Sequence, residues 1–364
     1  MTPRLRTVVV GDALLPTPVI TTALEPLADG LEVTDALTWG PPDEAEVDRM
    51  ALGLEREGPE AEPPPEALAD LLSEADALVV HYCPVSSKLL DVAPDLRILA
   101  TCRAGLENIA AREAADRGIL VLHVIGRTTE AVSDFAIGLL LAEARNIARA
   151  HHRLVGGRWD KAFRNSPFTP ELEGKTVGIV GFGEIGRAVA RKLSGFRVTL
   201  LAHDPYVDPD RISEGGAEPV ELDLLLSRSD FVSLHARPQP GASTLIGRDQ
   251  LARMKPTAIL VNTARAALVD TEALVDALRE GVIGGAALDV HDREPLGEDH
   301  PLLSLDNVTV TPHLASSTRE CSEKSPRILA DDLRRLFEGS APRYAVNPEA
   351  VTGPRAPISG GVKG

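Results

Sequence analysis

Three polar segments in the second half of the chain stand where strand-like apolar runs end. Arg265 follows the run "AILVNT", Asp289 and Glu294 lie in "GAALDVHDREPL", and His313 follows "NVTVTP". In an open α/β sheet, sites form at the carboxyl ends of the strands. Those runs therefore bring an arginine, a histidine and carboxylates to the edge where a small molecule would sit. Arginine can grip a carboxylate with two N–H groups and polarise the carbonyl beside it. Histidine with a carboxylate partner can deliver or take a proton near neutral pH. Such a set suits reversible reduction of a 2-oxo acid, provided that a hydride comes from elsewhere. Taken singly, Arg265 could be a surface ion-pair residue, Glu294 a loop residue and His313 a helix cap.

The hydride source is written upstream. "TVGIVGFGEIGRAVARKL" starts at Thr176 and runs from an apolar strand into Gly181, Gly183 and Gly186, then into a helix. The glycines serve a tight turn, close approach to a pyrophosphate, and close helix–strand packing. The N–H groups of Glu184, Ile185 and Gly186 open the helix and face the phosphates with its positive end. The next strand, "RVTLLAHDP", ends at Asp204, where a carboxylate accepts bonds from the adenosine ribose. A carboxylate there repels a 2′-phosphate, so the expected cofactor is NAD rather than NADP.

Around these motifs, short β-branched runs alternate with helical patterns from "TVVV" at position 7 to "NVTVTP" at 307. That alternation predicts βαβ units, and the number of strands predicts two doubly wound parallel-sheet domains. A single long, buried helix is expected from Thr128. The acidic, proline-rich stretch 41–66 reads as a surface excursion with a short helix, and the segment after Gly339 as a loosely ordered tail. The 364 residues carry a net charge of −16, which argues against nucleic-acid and anionic-membrane partners. The apolar run at the amino terminus is broken by Gly11 and Asp12, and "FAIGLLLA" is too short to span a bilayer. Three widely spaced cysteines fit no metal or redox pattern. A cytoplasmic protein with reduced thiols and no bound metal is expected.

With these segments in place, the chain resembles the D-isomer-specific 2-hydroxyacid dehydrogenases. "KTVGIVGFGEIG", "MKPTAILVNTAR", "GAALDV…EPL" and "NVTVTPHLASST" each look like a signature of that family. The resemblance implies a Rossmann NAD domain, 126–316, inserted into a flavodoxin-like substrate domain made of 1–125 and 317–364. It implies an active site in the cleft between the two, and a homodimer. It further implies Arg265 as substrate anchor, Glu294 as the histidine's partner, His313 as general acid/base, and Asp289 as a holder of the nicotinamide carboxamide. The late position of the glycine motif argues against L-specific lactate and malate dehydrogenases, and Glu294 against formate dehydrogenase, whose family carries a glutamine there. An NAD(H)-sensing corepressor-like binding protein keeps the same trio and stays open.

One segment departs from the family pattern. Its substrate loop has a glycine pair whose amides receive the substrate carboxylate, whereas this chain reads "RILATCRAGLENIA". Arg103, Ala104 and Gly105 are the substrate-binding candidates. Arg103 could reach a second anionic or polyhydroxy group on a larger substrate, or turn away and pair with an acid of the 41–66 stretch.

Overall fold

The computed structural model describes residues 4–238, 244–353 and 355–357. It separates into two compact units, one of residues 1–127 with 318–364 and the other of 128–317.

Unit 1 is built on strands β1 (Leu5–Gly11), β2 (Leu31–Thr38), β3 (Ala77–Val80), β4 (Ile98–Thr101) and β5 (Leu120–Leu122). They pair in parallel in the order β2-β1-β3-β4-β5. β3, β4 and β5 are buried at every position, as strands covered on both faces must be. β2 lies at the sheet edge and alternates between shielded and open positions, so it lacks the continuous apolar run of the others. The helix Arg319–Phe337 returns to this unit, where Leu329, Leu333 and Leu336 join the core formed by Val9, Ile20 and Ile98.

Two stretches are better ordered than their composition predicts. The 41–66 region contains a fourteen-residue helix, Glu44–Glu57, capped by Asp43. Its Val47, Ala51 and Leu54 recur at helical spacing and are buried, and Val47 and Leu54 enter the core with Val8 and Val80. The tail past Gly339 is also docked: the buried Asp332 carboxylate accepts from the amides of Arg343 and Tyr344 at 3.0 and 2.8 Å. Asn347 accepts from the Val121 amide and donates to the Ile119 carbonyl, both at 2.8 Å. A polar tail is held here by satisfying the open edge of β5, which hydrophobicity does not signal. Residues 358–364 lie outside the described residues.

Unit 2 is built on β6 (Thr176–Val180), β7 (Thr199–His203), β8 (Glu218–Pro219), β9 (Phe231–Leu234), β10 (Ile259–Asn262), β11 (Gly285–Leu288) and β12 (Val308–Val310). Its parallel order is β12-β11-β10-β9-β6-β7-β8, so the connections reverse direction beside β6. That is the Rossmann arrangement, and the other sheet has the flavodoxin order. The helix expected to run unbroken from Thr128 is two helices, Thr129–Ala144 and Ile147–Val155. Asn146 between them has φ +60°, the left-handed region that asparagine tolerates better than most residues. Its Oδ1 accepts from Arg149 at 2.6 Å, and Arg149 also pairs with the buried Glu143. Among the described residues, no helix is long and apolar enough to cross a membrane.

Leu54 is fully buried, and truncating it leaves a cavity under the Glu44–Glu57 helix. Leu54→Ala is expected to destabilise the protein by about 2–5 kcal/mol, measured by urea unfolding. A change under about 0.5 kcal/mol would show the helix to be a mere surface addition.

Candidate active site

The glycine loop follows β6, the strand beside which the sheet's connections reverse. Gly181 has φ +93°, and a Cβ there would lie 2.5 Å from the Ala236 nitrogen. At Gly186 a Cβ would lie 2.2 Å from the Gly181 carbonyl oxygen, so the helix can approach the strand only without one. A Cβ on Gly183 would point into open space, with no atom within 4 Å. The helix then begins at Glu184, and the N–H groups of its first turn have no intrahelical acceptor. A pyrophosphate fits this cradle: space at Gly183, free donors, and a helix N-terminus. Asp204, one residue past β7, is tied to the loop. Its Oδ2 accepts from the Phe182 amide at 2.7 Å and its Oδ1 from the Tyr206 amide at 2.9 Å.

The other candidates come from three neighbouring strands, β10, β11 and β12. Arg265 is exposed and extended just past β10. The buried Asn262 fixes the backbone beneath it, accepting from the Ala264 amide and donating to the Arg265 carbonyl, each at 3.0 Å. The Arg265 guanidinium itself donates to the Ala264 carbonyl at 2.8 Å.

His313, three residues past β12, has φ +57°, a rare conformation for a residue with a side chain. Its Nδ1 lies 2.9 Å from Glu294 Oε2. The carboxylate fixes the tautomer with hydrogen on Nδ1 in the neutral ring, and Nε2 has no partner among the described residues. Burial would raise the Glu294 carboxyl, but the bonds from His313 and from the His291 amide outweigh it and hold it below its ordinary value of 4.5.

Asp289 is fully buried at the end of β11. Its Oδ1 accepts from Thr311 Oγ1 at 2.6 Å and from the Leu314 amide at 2.8 Å, and its Oδ2 from the Ala315 amide at 2.8 Å. The expected contact with a nicotinamide carboxamide would have to be made by a carboxylate already bonded on both oxygens. In this structure Asp289 clamps the loop that carries His313. Sequence reasoning missed two helpers. His291 gives Glu294 its amide hydrogen at 3.0 Å and bonds the Thr311 carbonyl through Nε2 at 2.9 Å, and Asn262 positions Arg265. Both sit beside residues already singled out, but neither residue type announces such a role.

In unit 1, Arg103 turns toward the acidic stretch rather than outward. It is 4% exposed, pairs with Glu55 at 2.5 Å, bonds Asn108 Oδ1 at 3.2 Å, and stacks on Tyr82 with its guanidinium carbon 4.0 Å from the ring centre. The amides of Ala104 and Gly105 have no acceptor among the described residues, while the Ala104 carbonyl is bonded by His123 Nδ1 at 3.0 Å.

A dinucleotide cradle and a carboxylate-backed histidine on one parallel sheet define a nicotinamide-dependent oxidoreductase. Residues 137–315 match the family model of the D-isomer specific 2-hydroxyacid dehydrogenase, NAD binding domain. A glyoxylate reductase of Korarchaeum cryptofilum is 41% identical over 294 residues, 80% of this chain and 89% of that protein. A D-3-phosphoglycerate dehydrogenase of Methanocaldococcus jannaschii is 37% identical over 78% of this chain, which spans 53% of that longer protein. Among solved structures, an NADPH-dependent glyoxylate/hydroxypyruvate reductase of Sinorhizobium meliloti, in complex with NADP and malonate, superposes with TM-score 0.68 at 28% identity over 98% of each chain. The chain belongs to the D-isomer specific 2-hydroxyacid dehydrogenase family. It is an enzyme, and its cofactor is a nicotinamide dinucleotide.

A carboxyl depressed in the folded state stabilises the fold above its unfolded value and loses that contribution as pH falls through the folded one. For Glu294 the contribution is full above pH 4.5 and drains away below it. The stability difference between the unaltered enzyme and Glu294→Gln, followed by urea unfolding from pH 7 to 3, is expected to shrink only below that point. A difference that is flat with pH would show the Glu294–His313 pair to be absent in solution.

Proposed function

We propose that the enzyme interconverts a 2-oxo acid and a D-2-hydroxy acid, with His313 as general acid/base and Glu294 as its partner. The observation that carries this is the 2.9 Å bond from His313 Nδ1 to Glu294, which leaves Nε2 as the proton-transferring atom. When bound, the nicotinamide supplies or accepts the hydride. Arg265 holds the substrate carboxylate and polarises the 2-oxo group. In unit 1, the free amides of Ala104 and Gly105 are candidate donors for a carboxylate. In the reducing direction, His313 Nε2–H gives its proton to the oxygen as negative charge develops there. Glu294 keeps the ring oriented. Asp289 acts by fixing the His313 loop. Arg103, spent on Glu55, supports the substrate loop from within rather than touching the substrate.

Gly181, Gly183, Glu184, Ile185 and Gly186 receive the pyrophosphate. Asp204 takes the adenosine ribose and disfavours a 2′-phosphate, which supports NAD over NADP. The three buried, unpaired cysteines accord with a reducing, cytoplasmic setting; burial pushes the Cys83 and Cys102 thiols well above their ordinary value.

The test is oxidation of NADH, with NADPH alongside, against glyoxylate, pyruvate, hydroxypyruvate and larger 2-oxo acids. His313→Ala is expected to lower kcat by about 10²–10⁴-fold while NADH still binds. Tight NADH binding without turnover of any acid by the unaltered protein would instead favour a cofactor-sensing role.

We further propose that a second copy of the chain covers the helix Ile147–Val155. None of its residues is buried, and Ile147, Leu154, Val155 and the nearby Trp159 expose 57, 53, 75 and 78% of their surface. Apolar exposure of this size on one short segment marks an interaction surface. Sedimentation is expected to give a dimer, and Leu154→Glu with Val155→Glu a monomer; a monomeric unaltered protein would refute it.

A further inference from the structure

The helix Ile147–Val155 is mounted with its charged face inward. At roughly 100° per residue, Arg149 and Arg153 share one side, Ile147 and Leu154 fall on the opposite side, and Val155 lies beside them. Exposure follows that division. Arg149, Ala150 and Arg153 are partly shielded, whereas Ile147, Leu154 and Val155 are exposed. A surface helix ordinarily buries its aliphatic stripe and wets its charged face. Here the arrangement is reversed, so hydrophobic burial is not what holds this helix down.

What holds it is a set of charges, all within unit 2. Glu143, on the preceding helix, is 1% exposed. Its Oε2 accepts from Thr309 Oγ1 of β12 at 2.7 Å and pairs with Arg149 Nη2. Arg149 Nη1 donates to Oδ1 of Asn146, the left-handed residue at which the chain turns. One turn on, Arg153 lies 3.5 Å from Asp306 and 3.6 Å from Asp160. It also donates to the Ala162 carbonyl at 3.3 Å and stands 4.8 Å over the Phe163 ring. A carboxylate buried as deeply as Glu143 requires donors, so it dictates which side of the helix turns inward. The anchor is closely packed as well: a Cβ on Gly285 would lie 2.6 Å from Glu143 Oε1. Rolling the helix to bury Ile147 and Leu154 would strip Arg149 from Glu143. The unpaired buried charge left behind opposes what those aliphatic side chains would gain.

We propose that Glu143, acting through Arg149, is the positioning residue of the subunit interface. It locks the helix with Ile147, Leu154 and Val155 turned outward to meet a second copy of the chain, and Arg153 secures the far end. This inference rests on the reading of that face as the dimer contact. Charge favours the same occupant: residues 145–164 hold six basic side chains and one acid, in a chain of net charge −16. Such a segment fits a partner with excess acid, and a second copy is one.

The experiment measures the dimer dissociation constant by sedimentation equilibrium, with NADH binding as the check that unit 2 is folded. Glu143→Gln combined with Arg149→Met removes both charges, so neither is left buried and unpaired. The double variant is expected to bind NADH and to dimerise about tenfold or more weakly, the effect of losing one charge-assisted hydrogen bond. An unchanged dissociation constant overturns the proposal. If the double variant no longer binds NADH, Arg149→Lys is read against the unaltered protein instead. Lysine keeps a charge for Glu143 but not the two-pronged contact. About threefold weakening then upholds the proposal, and no weakening overturns it. If the unaltered protein is monomeric, the dimer reading has failed, and amide hydrogen exchange over 147–155 decides the lock. Exchange about tenfold faster in the double variant upholds it, and equal exchange overturns it.

Discussion

A carboxylate taken out of water is tolerated only where donors converge on it, and Asp289 is where unit 2 meets that demand. Its three hydrogen bonds, to Thr311, Leu314 and Ala315, bracket His313 on both sides. The loop so held carries its histidine at φ +57°, a conformation that must be imposed by surroundings. With the ring thus aimed, one bond to Glu294 is enough to set the tautomer. The geometry of the proposed proton transfer therefore depends on a residue that acts by holding the His313 loop.

The same logic recurs at the other strand ends. Asp204 stiffens the glycine loop through the Phe182 amide, Asn262 fixes the chain under Arg265, and Asp12 fixes the His81 ring. Parallel strands end with their last N–H and C=O groups only partly used, so the edge that must bind ligand also needs internal donors and acceptors. Small polar side chains, buried or half-buried, supply them. Long side chains, such as Arg265 and His313, keep a free end.

Arg103 illustrates how burial decides between two chemically equal options. A guanidinium beside a substrate loop could serve an external anion, but Glu55 is delivered by a helix whose apolar face enters the core of the same unit. The pair is formed before any ligand arrives, and Tyr82 stacks over it.

Much of the molecule was legible in the chain alone, because its determinants are local. Glycines at fixed intervals between an apolar strand and a helix permit one close approach that side chains forbid, and buried parallel strands spell themselves in β-branched runs. The glycine cradle, Asp204, and the strand-end positions of Arg265, Glu294 and His313 were readable on that basis. Edge strand β2, the break at Asn146 and the docked tail were not, because each is decided by bonds to residues far along the chain or by a single unusual φ; the roles of Asn262 and His291 were not, because their short-range bonds depend on the loop conformation rather than on residue type. The tertiary structure alone decided which charged groups already have partners: it pairs Arg103 with Glu55 and bonds Asp289 to the His313 loop. Pairing of charges depends on distances between elements, and no spacing along the chain encodes those.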